Sequence, residues 1–130
     1  MNGDFWTTTT SAFARINGTT RNLATVIFAL TDATTIAVDA SLGDVQTVTI
    51  AGNRTMAAPT NPRDGQLLLF KIKQGGSGSY TITWNAVYQF TATIPAPVLS
   101  TTVGISDYIG FIYDAVSARW NCLTYALYYS

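Results

Sequence analysis

Three stretches decide how this chain is read: Gly52-Asn53-Arg54-Thr55-Met56, then Asn61-Pro62-Arg63-Asp64-Gly65-Gln66, then the apolar run Leu67 to Gln74 that passes through Gly75-Gly76-Ser77-Gly78 into Tyr80-Thr81-Ile82-Thr83-Trp84. Each stretch of Gly, Asn, Pro and Asp offers the backbone turn conformations at low cost, and the runs between them are short enough for strands but not for helices. Within the last run Leu68, Phe70 and Ile72 alternate with Leu69, Lys71 and Lys73, which gives a strand one apolar face and one wet face. Tyr80, Ile82 and Trp84 repeat the pattern, and Gly75 to Ser79 between them predicts a hairpin loop.

The same period of two extends outward. Ile36 and Val38 alternate with Ala37 and Asp39, and Val48 and Ile50 with Thr47 and Thr49. Val87 to Phe90 reads as a short strand, Pro95-Ala96-Pro97 as an edge or connection, and Tyr108 to Tyr113, apolar on both faces, as a central strand. Asp114 to Ala118 then turns into a last strand through Trp120, Cys122 and Thr124. The expectation is an all-β fold, an antiparallel β-sandwich of about eight strands with jelly-roll or Greek-key closure, because short strands must hide their edges. Residues 1 to 33 lack a period of two or 3.6, and read as an extended N-terminal arm with one short strand or helical turn near Leu23 to Leu30; residues 34 to 130 read as the sandwich domain.

Composition excludes much chemistry. The chain has no histidine and no glutamate, which removes the commonest general base, the usual zinc ligand and the Ser-His and Cys-His nucleophile pairs. Its acids are Asp4, Asp32, Asp39, Asp44, Asp64, Asp107 and Asp114, with no spacing that marks a glycosidase pair; Asp64 and Asp114 sit in turns, where Asp caps backbone donors. No calcium loop, cysteine cluster or phosphate-binding glycine motif is present, so no catalytic residue, metal or cofactor is expected and the reading is of a protein that is not an enzyme.

Seven Lys and Arg balance seven Asp, and charged residues are 11% of the chain against about 25% in soluble proteins. Such a surface does not attract nucleic acid and suits a subunit covered by neighbours. The lone Cys122, in a strand-like setting, reads as a packing residue. The first residues lack the pattern of a signal peptide and the longest nearly apolar run, Ala24 to Leu30, is too short for a membrane span, so no membrane partner and synthesis in a cytoplasm are expected. Trp84 and Trp120 fall at inward positions. Phe5, Trp6, Phe13 and Ile16 punctuate a polar arm without a core of its own, and read as docking anchors; Tyr125, Tyr128 and Tyr129 near the C-terminus read as a subunit contact.

Ala37-Val38-Asp39-Ala40, Gly52-Asn53-Arg54-Thr55, Pro62 to Gln66, Phe70 to Gln74, Thr81-Ile82-Thr83-Trp84, Tyr108 to Tyr113 and Trp120 together resemble a β-domain of tailed-bacteriophage virion proteins, found in capsid cement or decoration proteins and in head-fibre and tail-fibre tips. The resemblance implies a virion location on the capsid surface, synthesis in the host cytoplasm, and a non-enzymatic role in binding and stabilising the shell of the major capsid protein. The alternative it carries is a fibre-tip module that binds a host receptor or glycan. A short arm in place of a stalk favours the cement reading, and symmetric shell junctions favour a homotrimer, with Phe5, Trp6, Phe13 and Ile16 on the shell.

Overall fold

The structure is a computed structural model and describes residues 5–8, 12–16, 19–22 and 26–130. Among these the chain is all β, with no helix. The first three strands are β1 (Phe5–Thr7), β2 (Ala12–Ile16) and β3 (Thr19–Asn22), an antiparallel three-stranded sheet that pairs only with itself. Then come β4 (Ile27–Ala29), β5 (Thr35–Ile36), β6 (Val45–Ile50), β7 (Arg54–Met56), β8 (Leu67–Gln74), β9 (Ile82–Trp84), β10 (Tyr88–Gln89), β11 (Ser106–Asp114) and β12 (Arg119–Tyr129).

From β4 to β9 successive strands alternate between two sheets. β4, β6 and β8 lie side by side and parallel in one; β5, β7 and β9 do the same in the other. The chain therefore winds as a parallel coil of three turns. The larger sheet is completed by β11 and β12, antiparallel to β8 and to each other, and by the parallel edge strand β10, in the order β10-β12-β11-β8-β6-β4.

This corrects the antiparallel expectation: the sheets are mixed, because a strand that returns to its sheet after crossing the other layer arrives running the same way as before. The Gly75 to Ser79 loop is likewise a crossover and not a hairpin, since β8 and β9 belong to different sheets. Gly76, Gly78 and Ser79 all have positive φ, and a Cβ at Gly78 would stand 2.4 Å from the Thr101 carbonyl oxygen, so this turn requires glycine there. The buried Gln74 side chain acts as a stand-in strand, donating from Nε2 to Tyr80 O at 2.8 Å and accepting Tyr80 N on Oε1 at 3.0 Å. The closing hairpin β11–β12 forms as expected, turning between Asp114 and Arg119.

One core joins the two layers. Ile36 and Met56 from the smaller sheet meet Val48, Ile50, Leu68, Phe70, Ile72, Ile109, Phe111 and Trp120 from the larger. At its centre the rings of Phe70, Trp84, Tyr88, Phe90 and Phe111 pack with centroid separations of 5.0 to 6.0 Å, mostly edge-on or tilted, the geometry that ring quadrupoles prefer. Trp120 is buried and Trp84 half-buried against the core. Cys122 is buried too, and that burial pushes its thiol up from the ordinary range, as for a packing residue. Ile27 to Ala29, within the stretch read as an arm, form the edge of the larger sheet, with Phe28 against the core.

Candidate protein-contact surfaces

The aspartates are committed to structure. Asp32 accepts both Nε and Nη2 of Arg54, at 2.7 and 2.8 Å, and the Ala51 amide; the guanidinium holds its carboxyl below the usual range. Asp39 accepts the Ser41 hydroxyl and amide and Asn61 Nδ2, and Asp114 accepts Val116 N and the Ser117 hydroxyl; hydroxyl donation lowers both pKa values. Asp44 takes Gln66 Nε2, and Asp64 the Ala115 amide. Asp4 lies outside the described residues. Among the described residues no three acidic or sulfur side chains gather as metal ligands do.

The resemblance residues are turn and core pins. Gln66 Nε2 donates to Ala40 O at 2.7 Å, Asn53 Oδ1 accepts the Thr81 amide, and Arg54 makes the pair with Asp32. They tie loops and strands to one another.

Of the four residues expected as docking anchors, Trp6 and Phe13 are brought together. They are cross-strand partners on β1 and β2, with ring centroids 5.6 Å apart and planes within 18°. Trp6 is 37% exposed, so one flank of the pair remains open. Phe5 and Ile16 are on the same two strands, paired in backbone register with Ala14 and Thr19; their side chains lie outside the described residues.

The C-terminal tyrosines separate. Tyr125 is half-buried and packs on the core, while Tyr128 and Tyr129 are exposed. Tyr129 meets Tyr108 edge-on at 5.4 Å, and Lys71 Nζ lies 5.9 Å from the Tyr108 ring centre.

Those contacts belong to the outer face of the larger sheet, which reasoning from sequence had marked only as wet. Register places Thr47, Lys71, Tyr108 and Ala126 in one row across β6, β8, β11 and β12, and Thr49, Lys73, Ser106 and Tyr129 in the next. Thr47, Val48, Thr49, Lys71 and Lys73 line a shallow depression of about 170 Å³. Towards the other end of the strands the face turns apolar: Ile27 pairs with Val45, Val45 with Leu69, and Leu67 with Ile112. A separate, mostly apolar groove of about 410 Å³ opens beside β4, lined by Phe28, Leu30, Val38, Leu42 and Ala57 among others.

No family model and no curated protein matches the chain. A solved structure described as "Structure of a chaperone-substrate complex" is similar to it, with a TM-score of 0.52 and 17% identity over 89% of this chain and 22% of that one. The likeness is one of fold, and the chain spans less than a quarter of that longer chain.

Proposed function

We propose that the chain is a non-enzymatic structural subunit of a tailed-bacteriophage virion, a capsid cement or decoration protein that binds and stabilises the shell of the major capsid protein, acting as a homotrimer on the capsid surface. The observation that carries the reading is the stacked Trp6–Phe13 pair, open on one flank, on a small sheet that, among the described residues, pairs with no strand of the coil. Aromatic anchors presented away from a core are what an attachment arm needs, since burial of such rings dominates protein-contact energetics. The sequence resemblance names the partner class, and the engagement of Asp32, Asp64 and Asp114 in caps and an ion pair is in keeping with it.

The alternative that the resemblance carries is a head-fibre or tail-fibre tip that binds a receptor or glycan. The copy number of the chain in purified particles separates the two. Copies sufficient to cover the repeating shell surface support cement; the few that a fibre set holds support the tip.

A further inference from the structure

We propose that the lysine-bearing outer face of the larger sheet receives the Asp114–Arg119 turn of a second copy of this chain, head to tail. The inference deepens the preceding reading and rests on it only in that copies of the chain assemble.

Lys71 and Lys73 are the only lysines in the chain, two residues apart on the outward side of β8. Among the described residues neither has an acidic partner; the ion pairs there are Asp32–Arg54 and Asp44–Arg63. Just along the strand lie Leu69 and Leu67, the latter 58% exposed, with Ile112 beside Leu67. The face thus offers an apolar seat next to two ammonium groups.

The opposite character is found at the end of the coil where β6 and β8 begin and β11 finishes. Asp39, Asp44, Asp64 and Asp114 stand at that end with Arg63, which pairs with Asp44, and Arg119, which lies opposite Asp114, four acids against two bases. From this end the β11–β12 turn projects Val116, 96% exposed. Asp114 accepts its amide, and Asp64 accepts that of Ala115. The turn is an apolar knob between two carboxylates, and Arg119 Nη1 is drawn aside to the Ala86 carbonyl oxygen.

Within one copy the carboxylates do not reach the lysines. Lys73 is six residues along β8 from Leu67, the end at which Asp64 and Asp114 stand, about 20 Å at the strand rise of about 3.3 Å and well beyond the screening length of about 8 Å in physiological salt. A second copy brings them together. Val116 then lies on Leu67, Leu69 and Ile112 while Asp64 and Asp114 reach Lys71 and Lys73. The apolar contact supplies affinity and the charges set orientation. Three strands, β6, β8 and β11, at about 4.8 Å spacing and five residues deep, give about 240 Å² before side-chain relief, so a single contact is small beside the roughly 800 Å² that a stable one takes from each partner, and the assembly depends on closing several such contacts into a ring. Because knob and seat are different surfaces, the contact is heterologous and closes as a ring, which a trimer satisfies.

Light scattering and sedimentation velocity on the full chain, over a range of concentration and salt, test this. The wild type self-associates, less at high salt; Lys71→Glu with Lys73→Glu weakens association at least tenfold, and adding Asp64→Lys with Asp114→Lys to that variant restores most of it. Val116→Lys, at a site too exposed to affect folding, weakens association alone. A wild type monomeric at all concentrations, or association indifferent to both Val116→Lys and the lysine reversals, overturns the proposal. So does a lysine reversal that keeps self-association and abolishes binding to capsid shells, because the shell would then occupy the face. Self-association as described in a chain that does not bind shells leaves this contact standing and removes the cement reading instead.

Discussion

The backbone amide of Tyr128 donates to Asp107 Oδ1 at 3.0 Å, although Asp107 is buried in the sheet and the Tyr128 side chain is exposed. The same carboxylate accepts the Ser100 hydroxyl and amide, each at 2.6 Å. One aspartate therefore ties the long β10–β11 connection and the C-terminal strand to β11. Tyr128 has φ of 71° at this point, a strained conformation for a non-glycine residue that the hydrogen bond helps to hold.

Replacing Asp107 by Ala strands the buried Ser100 amide and hydroxyl, and should destabilise the fold by about 2 to 4 kcal/mol. Denaturant unfolding measures the loss, and hydrogen exchange should show protection falling first at Ser100 and Tyr128. Unchanged exchange at both would mean that neither segment depends on the carboxylate.

Phe70 is fully buried and touches the rings of Trp84, Tyr88 and Phe111, which lie on three other strands. Phe70→Ala should cost about 3 to 5 kcal/mol through the cavity it opens between the layers. Leu67→Ala, three residues away on the outward side, should change stability by less than about 0.5 kcal/mol in the monomer. Equal effects at the two positions would deny that the inward row of β8 holds the layers together.

Stability should have a broad plateau in pH with two flanks. Asp32, Asp39 and Asp114 have folded pKa values lowered by the Arg54, Ser41 and Ser117 donors, so their stabilisation is complete above the unfolded value near 4 and is lost as pH falls below it. Burial raises Tyr88, whose hydroxyl donates to Ala57 O at 2.9 Å, so the folded state resists its ionisation and stability declines above about pH 10. With no histidine in the chain, melting temperature should change little from about pH 5 to 8. A step within that interval would require another titrating group.

The core rows and the closing hairpin were legible in the sequence because a period of two and turn residues are local signals. Phe70, Trp120 and the Asp114 to Ala118 turn fall where alternation places them. The parallel coil was not legible, since glycine and serine at 75 to 79 mark that the chain turns and not which sheet it enters. Asp107 was missed for a related reason: its partners lie 7 and 21 residues away, and nothing near it in sequence predicts them. The pairing of Trp6 with Phe13 is hidden too, because residues 1 to 33 lack a persistent period.

Trp6→Ala combined with Phe13→Ala should leave the coil folded and remove binding to capsid shells. Among the described residues both side chains belong to a sheet whose strands pair only with one another, so the core rows of β6, β8 and β11 keep their partners. Each aromatic ring buried on a neighbour contributes about 1.5 to 3 kcal/mol, from which the ordering of the arm must be subtracted, so a single arm binds weakly. In the homotrimer proposed above three arms would bind together, each raising the effective concentration of the next, and the loss of two rings per copy would be multiplied in the same way. Co-sedimentation of the full-length variant with shells, alongside its thermal melt, measures both halves. A variant that melts like the wild type and still decorates shells as tightly would move the attachment surface from the arm to the coil.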